Sequence, residues 1–138
     1  MFQIVFAKQE YFTMSESEWF HLRTKFLDAA SIESIGTKCF AKVKDGYFEN
    51  LSFDEFVKRI AEFYNDVNYI HPFREGNGRT QRIYFTQLIR HYGYDINFAD
   101  VDTDELMIAT IQASSGVMDF LVEFFENSII IPDWQTLI

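Results

Sequence analysis

Cysteine is nearly missing from this 138-residue chain, which has only Cys39. A lone cysteine closes no intramolecular disulfide and builds no four-cysteine metal site, so a reducing compartment such as the cytoplasm is expected. Prolines number two and glycines six, which leaves few forced breaks and no stretch that reads as a flexible linker. No apolar run is long enough to span a bilayer. The opening MFQIVFAKQEYF lacks the basic start and long apolar stretch of a signal peptide, and no membrane partner is expected. Basic charge is scarce as well. Twelve Lys and Arg stand against 21 Asp and Glu, for a net charge of -9. Such a surface repels phosphate backbones and argues against general nucleic-acid binding, while leaving room for a local basic site.

Core-forming residues are abundant. Hydrophobic residues make up 48% and sixteen are Phe, enough for one buried core, so a single domain over residues 1–138 is expected. The pattern is mainly helical. Ser15 and Glu18 form a capping box ahead of Trp19, Leu22, Phe26 and Leu27 at helical spacing. Ser52 and Glu55 form a second box, which opens the run Phe53, Phe56, Val57, Ile60, Phe63, Tyr64, Val67, Ile70. Pro72 stops that helix, because a residue preceding proline is pushed out of the helical region. Another helix is predicted over about Arg79 to Tyr92, burying Ile83, Tyr84, Leu88 and Ile89, with Gly93 as its cap. Asp102 and Glu105 start a further helix carrying Leu106, Ile108 and Ile111 and stopped by Gly116; a last one covers Asp119 to Ser128. Residues 36–48, with a Lys-Asp-Gly turn signal, read as a short hairpin.

Between the two strongest helices lies HPFREGNGRTQR, residues 71–82. Gly76, Asn77 and Gly78 form a run that tolerates positive φ and can turn several N–H groups toward one point, making an anion nest. The run leads straight into a helix, whose first N–H groups lack partners and carry partial positive charge. Arg79 and Arg82 are three apart and share a helix face. In an acidic protein this combination suits phosphates. Glu75 beside it fits a Mg²⁺ ion, which takes one or two carboxylates together with substrate phosphate oxygens. His71 has the ordinary pKa of a general base working near neutrality. Each residue alone has a plain structural reading: a helix-end histidine, solvated arginines, a common turn, a glutamate balancing Arg74. Together they supply a base, a metal ligand and an anion cradle within twelve residues.

The segment resembles the Fic motif, His-x-Phe-x-(Asp/Glu)-Gly-Asn-Gly-Arg-x-x-Arg. His71, Phe73, Glu75, Gly76, Asn77, Gly78, Arg79 and Arg82 fill every fixed position, and the likeness runs over about residues 37–130, with a divergent N-terminal part in 1–36. The resemblance implies a Fic-type helical bundle with a short β-hairpin flap, and a protein adenylyltransferase that moves AMP from ATP to a Ser, Thr or Tyr hydroxyl. By position, His71 would be the base and Glu75 would hold Mg²⁺. Gly76, Asn77 and Gly78 would surround the α- and β-phosphates, and Arg79 and Arg82 would contact the β- and γ-phosphates. Phe73 would fix the loop from the core side. The flap that aligns the target chain would fall near residues 36–44.

Two departures from the family pattern stand out. The Trp-Ala-Gly-type stretch that commonly precedes the flap is absent from residues 1–36. The inhibitory Ser/Thr-x-x-x-Glu-Gly/Asn pattern is absent too: Glu49, Glu75 and Glu126 are followed by Asn50, Gly76 and Asn127, but preceded at four residues by Asp45, His71 and Val122. Restraint by a separate antitoxin-like protein is therefore expected. The alternatives are Fic-type transfer of another phosphate-containing group and a non-catalytic nucleotide-binding module. Phosphate-transferring members carry Lys where this chain has Gly78. A metal hydrolase built on His71 and Glu75 lacks further ligands, since His21 and His91 are not spaced to join them.

Overall fold

The computed structural model describes residues 29–70 and 77–133. After a 3₁₀ turn at Ala29–Ser31 come α1 (Ile32–Lys44), α2 (Phe53–Ile70), α3 (Asn77–His91), α4 (Thr103–Ser114) and α5 (Asp119–Ser128). The predicted Ser15–Glu18 box and its helix, the stop at Pro72 and residues 134–138 lie outside the described residues. The architecture is mainly helical, as expected. The one piece of β pairing among the described residues is a bridge between Asp95 and Ile130, which ties the loop after α3 to the end of α5.

Helix α2 is the hub and packs against each of the other four. Its start follows the sequence logic closely. The Ser52 Oγ accepts from the Glu55 N–H at 3.2 Å, while the Glu55 carboxylate accepts from the Ser52 N–H at 3.0 Å. Two otherwise orphaned donors are thereby satisfied reciprocally. Phe56, Val57, Ile60, Phe63, Tyr64, Val67 and Ile70 of the predicted stripe are buried, joined by Ala61. Phe63 then meets Phe48 edge-on and Phe85 at a tilt through the centre, at ring separations of 5.6 and 5.5 Å.

Residues 36–44 are helical, not a hairpin, so the flap predicted there is not where the resemblance placed it. Ile32, Gly36 and Cys39 recur at helical spacing and bury against the core. The Lys-Asp-Gly signal marks the end of that helix instead. Gly46 has φ +82, and the Tyr47 N–H reaches back to the Lys42 carbonyl at 3.3 Å, the pattern of a glycine-capped helix end. Lys42 then pairs with Asp66 at 3.0 Å, fastening α1 to α2.

Helix α3 spans nearly its predicted range, but its buried face is turned. Ile83 is 55% exposed, and the core side is formed by Gln81, Phe85, Leu88 and Ile89. On α4, Ile108 is likewise exposed, whereas Leu106, Ala109 and Ala113 are buried. Asp102 caps α4 by accepting from the Asp104 and Glu105 N–H groups, and Gly93 and Gly116 close α3 and α4 with positive φ.

Candidate functional site

Of the predicted site residues, Asn77, Gly78, Arg79 and Arg82 are described; His71, Phe73, Glu75 and Gly76 lie outside the described residues. All four that are described belong to the first six residues of α3. Asn77 opens the helix and is buried, whereas Gly78 and Arg79 are exposed. Asn77 and Gly78 do not adopt the positive φ expected of them; they are already part of the helix. Their N–H groups are therefore among the first-turn donors that no helical carbonyl can satisfy.

The charge pattern separates α3 from its neighbours. Helices α1, α2, α4 and α5 each carry an acidic residue in the first turn, which neutralises the positive helix pole. Among the described helices, α3 alone has none there, and Arg79 stands in its place. An acidic protein thus keeps one helix start positive.

Gly78 has a steric role. A Cβ built on it would lie 3.0 Å from the Arg82 Nη1 and 3.9 Å from its Cζ. The Arg82 guanidinium is folded back over the first turn, in the space that a side chain at position 78 would take. Tyr64 of α2 lies within its electrostatic reach. Burial pushes the Tyr64 phenol up to about 12, and the Arg82 cation partly offsets that rise. The Tyr64 ring packs against Phe85 at 4.9 Å and Phe125 at 5.2 Å.

Sequence reasoning missed Gln81. Its side chain is buried, and its Nε2 donates to the Tyr64 carbonyl at 2.9 Å. The available signal was its spacing: Gln81, Phe85 and Leu88 fall on one helix face. His91 is at the far end of α3 with its ring against Tyr92, away from the first turn. Glu126 sits on α5 and lines an open groove with Lys58 and Glu62. Among the described residues no three His, Cys, Asp or Glu side chains are placed to share a metal ion.

The start of α3 thus carries an intact Asn-Gly-Arg-x-x-Arg sequence, no acidic residue in its first turn and an arginine folded over Gly78. The model of the Fic/DOC family matches residues 9–89. The chain belongs to the Fic/DOC family. It is 33% identical over 107 residues to a Salmonella typhimurium protein named Probable protein adenylyltransferase Fic, covering 77% of this chain and 54% of that one. It is 36% identical over 80 residues to a Bartonella henselae protein named Protein adenylyltransferase, covering 57% of this chain and 15% of that one. This Fic chain therefore spans about half, or less, of the length of these relatives. Among solved structures it is similar to the N-terminal Fic domain of a VirB-translocated Bep effector protein from Bartonella quintana with bound ADP. That likeness has a TM-score of 0.76 at 26% identity and covers 83% of this chain and 55% of the other. BepC from Bartonella tribocorum, with bound AMPPNP, shares the fold with a TM-score of 0.72 at 22% identity over 79% of this chain and 53% of that one.

Proposed function

We propose that this chain is a nucleotidyltransferase that moves AMP from ATP onto a Ser, Thr or Tyr hydroxyl of a target protein. The observation that carries the reading is the start of α3, where the Arg82 guanidinium lies over Gly78 in a first turn that holds no acidic residue. That arrangement would offer the positive pole of a helix and an arginine cation to the phosphates of a nucleotide. The names of the relatives and the ADP bound to a structural neighbour support the same reading.

In the proposed reaction the target hydroxyl oxygen bonds to the α-phosphorus. The bond from that phosphorus to the oxygen bridging the β-phosphate breaks, and pyrophosphate leaves. His71 takes the hydroxyl proton. The N–H groups of Gly76, Asn77 and Gly78 surround the α- and β-phosphates, and Arg79 and Arg82 hold the β- and γ-phosphates of the leaving group. The donor set suits Mg²⁺, because a single carboxylate, Glu75, next to bound phosphates is what that ion takes. When bound, Mg²⁺ neutralises phosphate charge. Phe73 fixes the loop. Restraint is supplied by a separate antitoxin-like protein that reaches Arg82.

The deciding experiment incubates the protein, cell lysate and Mg²⁺ with ATP labelled at the α- or the γ-phosphate. Label on protein from the first but not the second is expected. Transfer of the γ-label would move the chain to phosphate transfer, and no transfer of either would leave a nucleotide-binding module.

A further inference from the structure

Gln81 occupies one of the two positions between Arg79 and Arg82 where the Fic pattern specifies no residue. Its side chain is nonetheless 5% exposed, on the core face of α3. A primary amide taken out of water needs partners, and the bond it makes is a long-range one: Nε2 donates at 2.9 Å to the carbonyl of Tyr64, seventeen residues earlier on α2. Tyr64 is itself immobilised, with its ring clasped between Phe85 of α3 and Phe125 of α5.

A hydrophobic residue at position 81 would bury as well, but apolar packing is non-directional and lets a helix rotate a little about its axis. A hydrogen bond to one carbonyl sets that rotation. The stake is large, because Arg82 is the next residue. A rotation of α3 by about 20° moves a guanidinium about 6 Å from the axis by about 2 Å. Misplacement by about 1 Å is enough to spoil a substrate contact. The guanidinium lies over Gly78, 3.0 Å from where a Cβ would stand, so its place is tied to the first turn of the same helix.

We propose that Gln81 is a positioning residue: its amide, held by the Tyr64 carbonyl, sets the rotation of α3 and thereby aims Arg82 at the terminal phosphate of the nucleotide. The proposal rests on the adenylyltransferase reading, in which Arg82 meets the γ-phosphate. It goes further by assigning a task in that site to a side chain that touches neither substrate nor metal.

The test uses Gln81→Met, which keeps length and volume but removes the donor, together with Gln81→Glu, which keeps the shape but turns the donor into an acceptor. Arg82→Ala and the Gln81→Met/Arg82→Ala double variant complete the set. Dissociation constants for ATP and for AMP are measured by titration calorimetry on each, with circular dichroism to follow folding. The ratio of the two affinities is a readout that loss of fold alone does not move, since an unfolded fraction lowers both together. Gln81→Met and Gln81→Glu are each expected to lose about tenfold of the ATP-over-AMP preference. The double variant should lose no more than Arg82→Ala alone. A wild-type preference in either folded Gln81 variant, or an additional loss on top of Arg82→Ala, overturns the proposal. If one variant does not fold, the other carries the test. Wild-type protein that does not prefer ATP to AMP would sink the functional reading and this inference with it, whereas a preference that survives removal of the Gln81 donor sinks this inference alone.

Discussion

Replacing Gly78 by Ala should separate stability from nucleotide binding, in opposite directions. Gly78 has no positive φ to strain an alanine, and it lies inside α3. Losing a glycine from a helix gains about 0.5–1 kcal/mol, through the reduced entropy of the unfolded chain and better helix propensity. The new Cβ would stand 3.0 Å from the Arg82 Nη1. Normal contact needs roughly 3.5 Å or more, so the guanidinium must retreat. At the end of a flexible side chain that retreat costs the fold little. It costs the site more, because a hydrogen bond to a charged group is worth about 1.5–3 kcal/mol, or roughly 10- to 100-fold in affinity. The variant should therefore melt at the wild-type temperature or roughly 1–4 °C above it, and bind ATP at least tenfold more weakly, with AMP affinity little changed. Thermal unfolding by circular dichroism and calorimetric titration with both nucleotides read the two effects separately. Wild-type ATP affinity would refute the reasoning, since Arg82 could then move without consequence. A large fall in melting temperature would refute it differently, by making Gly78 a requirement of the fold.

Three further outcomes follow from the same reading. His71→Ala should lose on the order of 10²–10⁴ in transfer rate while binding ATP as the wild type does; a wild-type rate in the labelling assay excludes His71 as the base. Glu75→Ala should abolish the dependence of transfer on Mg²⁺, and activity that still rises with added Mg²⁺ as in the wild type places the ion on other groups. Glu126→Gly should leave ATP affinity and self-labelling unchanged, because Val122 stands where the inhibitory pattern needs Ser or Thr, four residues before the glutamate. A large gain in either measurement would identify Glu126 as a built-in inhibitor.

The parts of this protein that could be read from its sequence are those whose signals are local and unambiguous. The Ser52–Glu55 box is one, since both halves of the reciprocal bond lie within four residues. Asp102 ahead of α4 and the glycines closing α3 and α4 are others. The Lys-Asp-Gly of residues 44–46 is local too, but it fits two structures equally well. A hairpin turn and a helix cap both want a glycine with positive φ, and Gly46 supplies it to either. What decides between them is distant in sequence. Phe48 buries against Phe56 and Phe63, and Lys42 pairs with Asp66, contacts that only a helical α1 brings to α2.

The face of α3 failed to show for a reason that bears on the site. Counting only apolar residues put Ile83 inside and left Gln81 out of the pattern. With Gln81 on the buried side, the stripe runs Gln81, Phe85, Leu88, Ile89, and Ile83 turns out to solvent. The phase error thus came from one polar side chain placed where apolar ones belong. A buried amide is expensive unless it is paired, and it is easily replaced by Leu or Met when only packing matters. Its presence next to Arg82 therefore marks a place where direction counts for more than burial. The misread helix face and the positioning role of Gln81 have the same cause: a hydrogen bond to Tyr64 occupies a core position in order to hold the arginine beside it.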